Sequence, residues 1–139
     1  MISGRYDFTL DGKNRIFIPA RLREELGENI VFVRGIDTCV AVYSTSCWEA
    51  FCARLEELPK TEARHVKRFL YSSAVEAHVD GHGRVILPSG LRDYAKIEKC
   101  AILLGVGDHA EIWSDEMLRD FEQNADIPDM EEMLIKLGF

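Results

Sequence analysis

Two stretches of the chain carry the same short pattern: LDGKNRIFIP, from Leu10 to Pro19, and VDGHGRVILP, from Val79 to Pro88. Asp11 and Asp80, Arg15 and Arg84, and Pro19 and Pro88 all stand 69 positions apart. The copy extends further at an offset of 70, where Gly35, Val42, Tyr43, Ser44 and Phe51 meet Gly105, Ile112, Trp113, Ser114 and Phe121. Two copies at so long a period do not make a solenoid. They predict a duplicated unit folded around a pseudo-two-fold axis.

Each copy reads the same way. Tyr6, Phe8 and Leu10 alternate as one face of a strand, DGKN supplies a turn, and RIFI resumes as a second strand, so a hairpin is expected. Pro19 suits the first turn of a short helix, ARLREEL, which stops near Gly27. NIVFVRG and CVAVY then read as strands around a GIDT turn. Ser46 and Glu49 have the spacing of a capping box, and Trp48, Phe51, Leu55 and Leu58 continue at helical intervals. A helix over about Glu62 to Tyr71 leads into the second copy, which repeats the order: AVEAHV, DGHG, RVIL, a helix after Pro88, CAILLG, AEIW and a helix from Asp115. A short helix follows Pro128. The expected fold is α+β, with 1–58 as the first repeat and its helix, 59–73 a connecting helix, 74–124 the second repeat and its helix, and 125–139 an acidic terminal helix. No Gly/Ser-rich linker separates the halves.

With 139 residues and 47% apolar composition the chain can bury a real core. It has no apolar run near the roughly 20 residues that span a bilayer and no signal-peptide pattern at MISGRYDF. A soluble, cytoplasmic protein is expected, with no membrane partner. Cys39, Cys47, Cys52 and Cys100 form no CxxC pair and lack histidines at finger spacing, so no metal site is expected and the thiols read as small hydrophobes. No nucleophile stands in a recognisable catalytic motif. The sequence therefore asks for no enzyme, no cofactor and no small-molecule substrate.

A net charge of −7 argues at first against nucleic acid. The charge is unevenly placed, however: ten acids and two bases lie from Asp108 to Phe139, which leaves the first 107 residues with one surplus positive charge. An acidic tail can conceal a locally basic face.

The repeated element is Asp, three residues, Arg. A tight turn brings Asp11 to Arg15, and Asp80 to Arg84. One reading is an ion pair that pins the turn, which contributes little when exposed, about 0–1 kcal/mol. The other is that Asp anchors the turn while Arg and its neighbours project toward a phosphate or a base edge. Residue chemistry alone leaves both open. DGKNR carries one surplus positive charge and DGHGR none, and Arg5 lies just upstream of the first copy, so on the second reading the first copy is expected to be the DNA face, with Arg84 mainly supporting its own hairpin or a subunit contact. Arg23 and its counterpart Arg92 read as structural arginines paired with carboxylates. Trp48 and Trp113 read as core or subunit-contact residues.

From Met1 to about Ser114 the chain resembles the MraZ family of bacterial transcriptional regulators, in the AbrB-like swapped-hairpin superfamily. The residues that carry the resemblance are MISGRYDFTLDGKNRIFIPARLREELG, RGIDTCVAVYSTSCWEAF and VEAHVDGHGRVILPSGLRDYAKIEKCAILLGVGDHAEIWS. The tandem DxxxR motifs are its specific part. The family's first motif reads D-x-K-G-R; here Asn14 replaces the glycine, a residue that reaches positive φ with modest strain. The resemblance implies a double swapped-hairpin barrel and a nucleoid-associated repressor that binds double-stranded DNA at short direct repeats in the promoter of its own division and cell-wall operon. It also implies assembly as a ring-shaped homo-oligomer. The DNA-binding set is then Lys13, Asn14 and Arg15, joined by Arg5 and Arg84, with Asp11 and Asp80 anchoring the turns. The alternative is an oligomeric protein-interaction scaffold without specific DNA binding.

Overall fold

The computed structural model, which describes residues 1–139, divides each copy into four strands and three helices. The first copy holds β1 (Arg5–Thr9), β2 (Arg15–Phe17), α1 (Ala20–Leu26), β3 (Asn29–Arg34), β4 (Val40–Ser44), α2 (Thr45–Glu56) and α3 (Lys60–Tyr71). The second holds β5 (Val75–His78), β6 (Arg84–Ile86), α4 (Ser89–Tyr94), β7 (Cys100–Gly105), β8 (Ala110–Ser114), α5 (Asp115–Gln123) and α6 (Ile127–Lys136). Local chemistry sets most of the boundaries. Pro19 and Pro88 precede α1 and α4, and Gly27 closes α1 at φ 79°. The cap of α2 differs from the expected capping box: Ser44, not Ser46, accepts the backbone N–H of Cys47 at 3.2 Å. Ser114 does the same for Met117 in the second copy at 3.3 Å.

The expected local hairpin does not close. β1 pairs antiparallel with β7, Tyr6 facing Leu103, and β5 pairs with β3, Ala77 facing Ile30. Each copy therefore lends its first strand to the other. The freed second strands pair with one another, β2 with β6. An isolated ladder on a three-residue strand is marginal; exchange instead gives β1 and β5 places in a six-stranded sheet of order β1-β7-β8-β4-β3-β5. That order reads the same from both ends once each strand is replaced by its copy. The axis passes where copies face one another: Ile16 opposite Val85 in the ribbon, and Ala41 opposite Glu111 in the sheet. The sheet keeps two edges, β1 and β5, and does not close into a barrel.

One core serves both halves. Ile16, Ile18, Leu22 and Phe32 from the first copy pack with Val85, Leu87, Leu91 and Leu103 from the second in a single buried cluster. A satellite cluster of Cys39, Ile102, Trp113 and Leu118 holds α5 against the sheet. No helix is long and apolar enough to cross a membrane.

Because the halves share this core, they should unfold together. Ile16 is 1% exposed at the axis, so Ile16→Ala should cost about 2–5 kcal/mol. Urea titrations at fixed protein concentration, followed by tryptophan fluorescence and far-UV circular dichroism, should give coincident transitions for both proteins. Two separated transitions would show that the halves are independent.

Candidate nucleic-acid interface

Alternation along the β2/β6 ribbon turns Ile16 and Val85 inward, both buried, and places Arg15, Phe17, Arg84 and Ile86 together on the opposite face. Phe17 and Ile86 are 48% and 59% exposed. Arg15 faces Ile86 and Phe17 faces Arg84. The two arginines are thus diagonal neighbours, about 7–8 Å apart at the backbone.

A turn precedes each arginine, and its aspartate organises it. The Asp11 Oδ1 accepts the backbone N–H groups of Lys13 and Arg15, each at 2.9 Å. Asp80 Oδ1 accepts those of His82 and Arg84, also at 2.9 Å. Asn14 and Gly83 sit at matching turn positions with φ of 58° and 80°, so Asn14 fills the left-handed position that glycine fills in the other copy. Their carbonyls lock the turns onto the ribbon: Leu87 N–H donates to Asn14 at 3.0 Å, and Ile18 N–H donates to Gly83 at 2.8 Å. Gly83 also leaves little space for a side chain, because a Cβ there would lie 3.0 Å from the backbone oxygen of Ile18 and 2.9 Å from Arg23 Cζ.

The copies differ in their side chains. Arg15 Nε donates to Asp11 Oδ2 at 2.7 Å, both side chains being one-third exposed, and neither Nη group has a protein partner. The ion pair aims the guanidinium while leaving its outer edge free. Arg84 makes no such pair with Asp80 and is exposed. Both carboxyls are held below the usual aspartate range. For Asp11 the Arg15 backbone N–H is the main cause, helped by the Arg15 guanidinium and the Lys13 N–H against some desolvation. For Asp80 it is the Arg84 N–H, with the His82 N–H and the charge of Arg15 adding to it.

Lys13, Asn14, Arg15 and Arg84 therefore surround one ribbon face. The copies do not own separate faces, because cross-pairing of β2 and β6 carries Arg84 beside Arg15. Arg5 lies elsewhere, six residues and about 20 Å up β1 from the turn. Its Nη1 donates to both carboxylate oxygens of Glu122 on α5, at 2.9 and 3.1 Å. The expected carboxylate partners of Arg23 and Arg92 are absent. Arg92 Nε donates to the Leu87 carbonyl at 3.1 Å, whereas Arg23 Nε is buried without a partner and its Cζ lies 5.8 Å from the centre of the Phe17 ring. The repeated arginine was visible in the sequence. Its position under the ribbon was not, since that depends on the strand exchange.

A family model described as "MraZ protein, putative antitoxin-like" matches the chain twice, over residues 1–69 and 70–134. The chain belongs to the MraZ family. It is 44% identical over 129 residues to a protein of a Thermoanaerobacter species named Transcriptional regulator MraZ, a match covering 91% of this chain and 90% of that one. Proteins of the same name match from Desulfitobacterium hafniense, 41% identical over 142 residues and 99% of both chains, and from Lactiplantibacillus plantarum, 42% identical over 139 residues, 97% of this chain and 99% of the relative. The double family match and the strand exchange describe the same duplication.

Depressed folded-state pKa values mean that the unfolded chain binds more protons in acid. The contribution of Asp11 and Asp80 is present above the unfolded aspartate value, about 3.9, and is lost as pH falls through their lower folded values. The melting temperature should therefore drop below about pH 4, and Asp11→Asn with Asp80→Asn should flatten that drop. An unchanged acid limb in the double variant would show that the turns do not depend on these charges.

Proposed function

We propose that this chain is a sequence-specific DNA-binding transcriptional regulator whose contact surface is the outward face of the β2/β6 ribbon. The observation that carries the reading is the convergence of Arg15 and Arg84, one from each copy, on that exposed face. Arg15 is aimed by an aspartate whose other oxygen is spent on the turn backbone. The names carried by the relatives support the same reading. A two-stranded ribbon fits the major groove, where an arginine fork can bind phosphate or the edge of guanine. Lys13, exposed at the turn tip, supplies a phosphate contact, and Asn14 supplies the backbone path that presents it.

Few cations reach this face, so one subunit binds weakly. Affinity comes from several copies engaging successive short direct repeats at once, as a ring-shaped homo-oligomer would. The site is the promoter of the chain's own division and cell-wall operon, and the effect there is repression. Arg5 is outside the contact set, being engaged by Glu122. The acidic C-terminal region, from Asp108 onward, repels DNA and confines it to the ribbon.

Footprinting on the upstream region of the gene should protect regularly spaced short repeats. Arg15→Ala and Arg84→Ala should each weaken binding roughly ten- to hundredfold, with particle mass unchanged by light scattering. Lys13→Ala should weaken binding evenly across sequences and reduce the salt slope by about one. A full-strength footprint from either arginine variant would remove that residue from the surface. Salt-independent binding would favour the scaffold reading.

A further inference from the structure

The outward face of the β2/β6 ribbon is half apolar. Arg15 and Arg84 occupy one diagonal of a four-residue patch and Phe17 and Ile86 occupy the other, because Arg15 faces Ile86 and Phe17 faces Arg84. Neither apolar side chain belongs to the core, which the ribbon reaches through Ile16 and Val85. Both stand about half in water, so whatever meets the arginines must also cover them.

The two are not equivalent. The Arg23 guanidinium carbon lies 5.8 Å from the centre of the Phe17 ring, a cation–π distance that backs the ring from α1. In the second copy Arg92 is turned to the Leu87 carbonyl at 3.1 Å instead, and the counterpart of the ring is the branched aliphatic Ile86. The axis that makes Arg15 and Arg84 equivalent thus relates a flat ring to a short aliphatic side chain.

Neighbouring strands stand about 4.8 Å apart and alternate residues about 6.7 Å apart. The patch therefore fits within a major groove about 12 Å wide, and a duplex that takes the arginine forks brings its base edges to Phe17 and Ile86 as well. Those edges carry mostly hydrogen-bonding groups, which an apolar side chain desolvates without return. The exception is the C5-methyl of thymine.

We infer that Phe17 and Ile86 are specificity-determining residues that contact thymine C5-methyl groups, one thymine for each residue. The contacts are unequal, so the pseudo-two-fold subunit has a direction on the duplex: turning it end for end puts the ring where the aliphatic side chain was. A subunit with a direction suits sites repeated in one orientation. This rests on the ribbon being the DNA face and adds which bases that face selects.

The test starts from duplexes that the wild-type protein enriches from a randomised pool. Each thymine of the enriched site is then replaced singly by deoxyuridine, which removes the methyl and keeps every hydrogen-bonding group. Wild-type affinity should fall about fourfold at each of two thymines per bound subunit, roughly the worth of one buried apolar carbon, and hold constant at the others. Phe17→Ser should abolish the response at one of those positions and Ile86→Ser at the other. Both variants should melt near the wild-type temperature, since both side chains are exposed. An enriched site without thymine, or one at which no uridine weakens binding, would overturn the inference and leave the DNA face standing. Serine variants that keep the full uridine response would overturn it too, by assigning the methyl contacts to other residues. Failure to enrich any sequence would sink the DNA reading itself, and this inference with it.

Discussion

Neither copy of the repeat keeps its own first strand. β1 finds its ladder on β7 and β5 finds its own on β3, so the sheet exists only when both copies are present. This exchange frees β2 and β6 to meet at the axis, where Ile16 and Val85 bury a shared seam and throw four side chains outward. The ribbon face, the placement of Arg84 beside Arg15 and the packing of Arg23 under the second turn all descend from it. A local hairpin in each copy would have put the two arginines on separate loops.

The turns show how little chemistry is needed to aim a charge. One aspartate oxygen takes two backbone N–H groups and fixes the loop, and in the first copy the other oxygen takes the arginine. The pair sits at the surface and adds little to folding. Its effect is on direction, by limiting the rotamers open to a long side chain. In the second copy the same turn stands without the side-chain pair, so the backbone bonds are what build it.

Much of this was legible in the sequence, because the duplication is written in the chain and the local signals are strong. Prolines before short helices, the turns, and the strands NIVFVRG and CAILLG fall close to where they were expected. Residue patterning does not say which strand pairs with which; the exchange came only as what the family resemblance implies. Alternation in Tyr6, Phe8 and Leu10 says that a strand exists and has one buried face; it is silent about the partner, since a ladder uses backbone groups common to every residue. The missing partner information also hid the shared ribbon. The surroundings of Arg5 were hidden for a related reason: its nearness to the turn in sequence becomes about 20 Å along an extended strand, and its partner Glu122 comes from the far end of the chain. Ser44 displaced Ser46 as a cap because β4 runs directly into α2 with no loop between them.

The exchange also imposes an order on synthesis. β1 is among the first segments to leave the ribosome, but its partner β7 lies about a hundred residues later, a wait of roughly 5–20 s at ordinary elongation rates. During that wait the emerging first copy has β3 and β4 able to pair with each other, while β1 has no ladder. The open edge of β3 that β5 will later occupy is meanwhile available to any similar strand, including β1 of the same chain or β5 of a neighbouring nascent one. The duplicated design thus carries a built-in competitor for its own pairing. The winning arrangement is the one that also buries Ile16 against Val85, a seam that cannot form until both copies are made.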